Sequence, residues 1–152
     1  MPGVRSFELS VIACSQLKMR NSLKICGEFY LKSSWLCRKV NQPLQEKEAQ
    51  KKALEFFIRV FRPYMAMNNK FPSKEEIILR SERGMEILAE RAVIYTGFLI
   101  AELSWRTGQY MQARQYFEEI KRLPFFNKFP ALMKHVNSVH NKHTEGEKTP
   151  SR

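Results

Sequence analysis

Ala53-Leu54-Glu55-Phe56-Phe57 and Ala113-Arg114-Gln115-Tyr116-Phe117 share one pattern: alanine, two variable positions, an aromatic residue and phenylalanine. Each falls on the second helix of an expected antiparallel pair. The first helices also correspond. Leu31, Ser33, Trp35 and Arg38 align with Leu99, Ala101, Leu103 and Arg106, provided the connection from Arg38 to Ala53 has eight more residues than that from Arg106 to Ala113. Small side chains at Ser33, Ala53, Ala101 and Ala113 would let the paired helices approach closely, and the aromatics would fill the space beyond. A hairpin of this kind cannot bury its apolar face alone, so equivalent hairpins stack into a superhelix with an inner groove. The alternative is two unrelated hairpins that converge because every packed helix needs alanine and phenylalanine.

The rest of the chain also reads as helix. Period-two alternation does not persist, and six Gly and seven Pro give little of the punctuation that strands require. Phe7, Val11, Cys14 and Leu17 predict a first amphipathic helix over Arg5 to Met19. A second covers about Leu23 to Lys39, with Ile25, Phe29, Tyr30, Trp35 and Leu36 as its apolar set. Asn41-Gln42-Pro43 stops it, because proline disfavours helix in the residue before it. A third runs from Leu44 to Phe61, with a stripe of Ala49, Ala53, Phe56, Phe57 and Val60. Tyr64 to Pro72 is a loop. Ser73 with Glu76 forms a capping box, the hydroxyl and the carboxylate each satisfying a free backbone N–H. The helix that follows either reaches Arg106 or breaks near Gly84. Gln109 to Arg122 is the last strong helix, and Pro130 to about His140 adds a terminal turn or two. Residues 141–152, with no apolar residue but Pro150, are expected to be a disordered polar tail beyond a single helical domain spanning 1–140.

The chain has 152 residues, enough for one domain with a true core. All fifteen acids are Glu, so EF-hand loops, a Ser-His-Asp triad and Asp-built magnesium sites are excluded. No uninterrupted apolar run reaches the length of a membrane span. Glu8 sits where a signal peptide would place its apolar stretch, and Pro2 occupies the glycine position of myristoylation, which points to a soluble, cytoplasmic chain. Cys14, Cys26 and Cys37 are odd in number and form no C-x-x-C pair, so they read as reduced thiols acting as small core hydrophobes.

The segment Leu103 to Pro124, LSWRTGQYMQARQYFEEIKRLP, resembles a tetratricopeptide repeat through Gly108, Tyr110, Ala113, Phe117 and Pro124. More broadly, Phe29 to Leu123 is similar to the helical C-terminal half of an uncharacterised bacterial family. Members of that family carry an Ala-Trp-Leu-Tyr-Arg-like segment early and a Glu-Leu-x-Arg-Arg-Leu-Gly-like segment later. Here these read Ser34-Trp35-Leu36-Cys37-Arg38 and Glu102-Leu103-Ser104-Trp105-Arg106-Thr107-Gly108, departing at Ser34, Cys37 and Trp105. The family's cysteine-rich, zinc-ribbon-like front end has no counterpart, which would set Met1 inside a longer ancestral frame. The resemblance implies a fold and no activity.

Chemistry-bearing residues are sparse. His135, His140 and His143 lack the i, i+4 spacing of a helical zinc pair and read as part of a solvated tail. Glu82, Glu86 and Glu90 step by four but have no Glu-x-x-His partner, and Arg83 and Arg91 make a salt-bridged, solvated face of them. No Gly-rich phosphate loop is present. The net charge of +11 is concentrated in residues 1–72, which hold 13 basic and 5 acidic groups. Basic residues near Tyr30 and Trp35 could draw nucleic acid by phosphate contact and stacking. Yet no nucleic-acid-binding signature accompanies them.

These readings predict an all-α fold of antiparallel hairpins stacked as a tetratricopeptide-like right-handed superhelix. The expected function is a non-catalytic protein–protein interaction scaffold with no cofactor or metal, a partner of acidic character and no membrane association. The alternative is a basic nucleic-acid-binding module. If the tetratricopeptide geometry carries over, the groove is lined by Tyr30, Ser34 and Arg38 from one hairpin and by Phe98, Glu102, Trp105 and Arg106 from the other. Arg38 and Arg106 either hold a partner's carboxylate or pair internally with glutamates.

Overall fold

The computed structural model describes residues 23–81 and 87–148, so the predicted helix over Arg5 to Met19, Cys14 and the Glu82–Glu86 step lie outside the described residues. Six α-helices follow in order among those residues: α1 (Leu23–Lys39), α2 (Pro43–Phe61), α3 (Lys74–Arg80), α4 (Glu90–Arg106), α5 (Tyr110–Lys121) and α6 (Pro130–Lys148). They contain no strand beyond an isolated bridge between Met67 and Lys70, closed by Asn68 and Asn69 in the left-handed conformation typical of a type I′ turn.

Two hairpins, α1–α2 and α4–α5, are joined by the same turn. Asn41 and Gly108 have φ of 56° and 84°. Gln42 N–H donates to Cys37 O at 2.8 Å and Asn41 N–H to Arg38 O at 3.1 Å; Gln109 N–H donates to Ser104 O at 2.7 Å and Gly108 N–H to Trp105 O at 3.1 Å. Both are Schellman closures, which satisfy carbonyls that a helix end leaves free. The first helices are both 17 residues long, while α2 has 19 residues and α5 has 12. The turns therefore superpose without any insertion, and the extra length lies at the far end of α2. This corrects the predicted alignment. Turn equivalence matches Arg38 with Trp105, one residue from Arg106, and pairs Ala113 with Glu46 and Ala53 with Ile120, seven residues from the alanine-to-alanine match. Seven residues make about two helical turns, so the slip preserves the face, and both alanines are buried.

α1 packs on α2, α4 on α5, and α2 also packs on α4, which ties the hairpins together. The core is continuous from Cys26 and Phe57 through Phe61 and Ile94 to Phe117, Ile120 and Val136. Two glycines sit at tight helix contacts. A Cβ on Gly27 would lie 2.8 Å from the Phe57 ring, and one on Gly97 would run into Ile120 Cγ2 and lie 2.8 Å from Phe61. Ser33 and Ala101 are buried as expected of small interface residues. The predicted apolar set of α1 is largely turned outward. Ile25, Phe29, Trp35 and Leu36 are exposed, whereas Cys26, Gly27, Leu31, Ser33 and Ser34 join Tyr30 in the interior.

The connection between hairpins breaks rather than forming one long helix. Ser73 Oγ accepts from Glu76 N–H at 3.2 Å as the capping box predicts, but α3 ends at Arg80. Arg80 then reaches back to Met65 O at 2.7 Å, and Leu88 N–H donates to Tyr64 Oη at 2.8 Å. At the C-terminus α6 continues through Lys148, past the predicted boundary at His140. Leu132 and Val136 enter the core, and Thr144 Oγ1 donates to His140 O at 2.9 Å.

Candidate partner-binding groove

Because α1 and α4 both lean on α2 without packing closely on each other, a groove runs between them. They are parallel and in step: one end of the groove brings Lys24 of α1 beside Ala92 of α4, and further along Arg38 meets Glu102 and Arg106. Three cavities sharing side chains make it continuous. The first, about 470 Å³, lies between Leu31 and Trp35 on one wall and Tyr95 and Leu99 on the other, with Phe57 of α2 at its floor. The second, about 230 Å³, keeps those four residues and adds Arg38, Arg106, Gln50 and Val139. The third, about 630 Å³, opens between the two Schellman turns beside Lys47, Trp105, Tyr110 and His143, again sharing Gln50 and Arg106. α6 forms the outer wall and follows the direction of α4, since His135 meets Phe98 and His143 meets Trp105.

The charged groups are held in pairs. Arg38 Nε donates to Glu46 Oε2 at 2.7 Å, and the buried Gln50 supports the same oxygen at 3.3 Å. Arg106 Nε lies 3.6 Å from Glu102 Oε2, whose other oxygen bonds His143 Nε2. Both arginine side chains remain almost half exposed, at 45% and 46%. A guanidinium has five N–H donors in a planar fork, so a single Nε contact orients it and leaves the Nη face for another acceptor. His143 stacks on Trp105 at 4.2 Å, and Trp105 meets the edge of Tyr110 at 4.7 Å, which fixes the indole at the groove's end.

Five of the seven predicted groove residues, Ser34, Arg38, Phe98, Glu102 and Arg106, line the middle cavity, while Trp105 lines the turn-end cavity together with Arg106. Tyr30 does not belong there. It is 4% exposed and stacks on Phe56 with ring centroids 5.6 Å apart and an interplanar angle of 13°. One helical step from Leu31 turns it about 100° towards α2. Ser34 reaches the groove but donates its hydroxyl to Leu31 O at 2.6 Å, so it supplies space rather than a donor. Trp35, 47% exposed, and Tyr95, 40% exposed, are the aromatic surfaces that the sequence reading missed as groove residues. The detectable signal was the helical spacing of Leu31, Trp35 and Arg38, which share a side of α1 about 80–140° round from Tyr30.

The three histidines also depart from the solvated tail expected of them. His135 sits edge-on to Phe98 at 5.1 Å, His140 stacks on Phe117 at 4.5 Å, and Lys121 Nζ donates to His140 Nδ1 at 2.6 Å. Burial lowers the Lys121 pKa from its usual value, an effect that Glu118 opposes. Cys26 and Cys37 are both buried, and burial, with Glu46 nearby, pushes the Cys37 thiol up. Among the described residues there is no group of three or more His, Cys or Glu side chains placed to hold a metal ion, and no helix long and apolar enough to cross a membrane.

No curated protein and no solved structure matches the chain. The family model that does match spans residues 2–142, reaching beyond both ends of the Phe29 to Leu123 resemblance. By that match the chain belongs to a family described as uncharacterized protein conserved in bacteria (DUF2225).

Proposed function

We propose that the chain is a non-catalytic helical-repeat scaffold of tetratricopeptide type, whose α1–α4 groove captures an acidic segment of a protein partner. The observation that carries this reading is the meeting of Arg38 and Arg106, from equivalent hairpin ends, in one cavity beside exposed aromatic surface. Each arginine is oriented by a glutamate through Nε and stays almost half exposed, a ready arrangement for a carboxylate. The parallel first helices, the matching Schellman turns and the third parallel helix α6 support the superhelical description.

A nucleic-acid-binding role fits the groove less well. A phosphate chain carries a charge at every unit and so must pass Glu28, Glu46 and Glu102 on the walls, whereas a peptide can place its carboxylates at the cations alone. The test is a pull-down with the Arg38→Ala/Arg106→Ala double variant from bacterial lysate, beside a gel shift with random DNA and RNA over a salt series. Loss of a captured protein with unchanged helical circular dichroism supports the scaffold. Undiminished capture, or a shift that falls steeply with salt, overturns it.

A further inference from the structure

Resting on that reading, we infer that the groove is bipartite and selects an acidic peptide carrying one large apolar side chain. The apolar residue enters the cavity between Trp35 and Tyr95, and a carboxylate reaches Arg38 and Arg106. The first cavity has the volume and walls of an anchor site. At about 470 Å³ it is within the usual range for buried ligand groups, its floor is the Phe57 ring, and Leu31, Trp35, Tyr95 and Leu99 enclose it. Partly exposed aromatics facing each other across a cleft are the surfaces from which apolar anchors gain most.

Charge specifies what flanks the anchor. Lys24 at the cavity rim is taken up by Glu28 at 3.7 Å, whereas Lys32 and Arg91 have no carboxylate partner among the described residues. Beyond the cavity, Lys47 is likewise without one among those residues, and the Arg38 and Arg106 side chains remain almost half exposed. Cations therefore bracket the apolar site on both sides, and the complementary ligand carries acids on both sides of its anchor. A helix rise of about 1.5 Å per residue sets the spacing. From the Leu31 and Leu99 level of the walls to Arg38 and Arg106 is about 10 Å, which an extended peptide spans in about three residues and a helical one in about two turns.

The experiment is selection of a displayed library of random twelve-residue peptides on the full chain, followed by affinity measurement of a synthetic peptide of the enriched sequence. The expected enrichment joins one Phe, Trp, Leu or Met to Glu or Asp at about that separation. Trp35→Ala should weaken the synthetic peptide about tenfold and relax only the apolar preference. Arg38→Ala/Arg106→Ala should weaken it comparably and relax only the acidic preference. Enriched peptides that are acidic with no apolar residue overturn the bipartite site while leaving the acidic groove standing. Basic peptides, or no enrichment, overturn both. Trp35 is exposed, so its alanine variant should keep the wild-type melting temperature, and unchanged affinity in that folded variant also contradicts the anchor.

Discussion

Asn41 and Gly108 do the same work 67 positions apart, each turning the chain through a left-handed residue from a 17-residue helix into its partner. The glutamine that follows each of them, Gln42 or Gln109, then accepts the first backbone bond of the next helix, from Glu46 N–H at 2.9 Å or Ala113 N–H at 3.0 Å.

A Cβ at Gly108 would meet no atom within 4 Å, so substitution there tests backbone conformation alone. Gly108→Ala should cost about 1 kcal/mol, the penalty of a left-handed residue with a side chain. Asn41→Ala should cost a similar amount, while Asn41→Gly should be neutral or slightly stabilising. Urea unfolding of the three variants checks this, and a neutral Gly108→Ala would contradict the turn geometry.

Gly97 lies where α2, α4 and α5 converge. Gly97→Ala drives a methyl group into Ile120 and Phe61, both fully buried. Overpacking of this kind should destabilise by about 1–3 kcal/mol. Combining it with Ile120→Ala should cost less than the sum of the two single changes, because the smaller residue accommodates the new methyl. Additive losses in thermal melts would mean the contact is not what limits the site.

Tyr64 and Tyr116 have pKa values raised by burial, an effect that the Leu88 N–H bond partly offsets at Tyr64 and Arg62 partly offsets at Tyr116. The unfolded chain then loses these protons first. Their contribution to stability is complete below the ordinary tyrosine value of about 10 and is lost as pH rises from there through the raised values. Tyr64→Phe should flatten that alkaline decline. The same change leaves Leu88 N–H without its acceptor. At neutral pH that loss should cost about 1–2 kcal/mol. An alkaline unfolding profile identical to wild type would refute the assignment.

The end of α6 is held by His143 through Trp105 and Glu102. His143→Ala should speed amide exchange in the last turns of α6 by roughly tenfold, corresponding to about 1.4 kcal/mol of local stability, with α1 and α2 unaffected. Uniform acceleration across the chain would show that the contact is not local.

Helix positions were legible in the sequence because caps and prolines act locally. Pro43, the Ser73–Glu76 box and the Gly108 turn each lie at or next to the helix boundary the sequence predicts. The register between the two hairpins was not legible from their alanines, since a heptad slip keeps the same face inward. The pairing of Asn41-Gln42 with Gly108-Gln109 carried the correct offset. The groove was half legible. Arg38 and Arg106 line one cavity although they are one residue out of turn equivalence, and hydrophobicity alone misdirected Tyr30 and Trp35. The larger apolar ring, Trp35, stands 47% exposed on the groove wall, while the smaller Tyr30 stacks on Phe56 in the core. The histidines of α6 looked like tail residues because their aromatic partners, Phe98, Trp105 and Phe117, lie on other helices and leave no trace in the local pattern.

Site-specific photo-crosslinking in living bacteria tests the groove most directly. A benzophenone side chain is placed at Trp35, or at Leu79, which is 84% exposed on α3 and lines none of the three cavities. Discrete protein adducts from position 35 that fade in the Arg38→Ala/Arg106→Ala background, with none from position 79, are the predicted result. Equal adducts from both positions, or adducts at 35 that persist without the two arginines, would contradict a partner seated between α1 and α4.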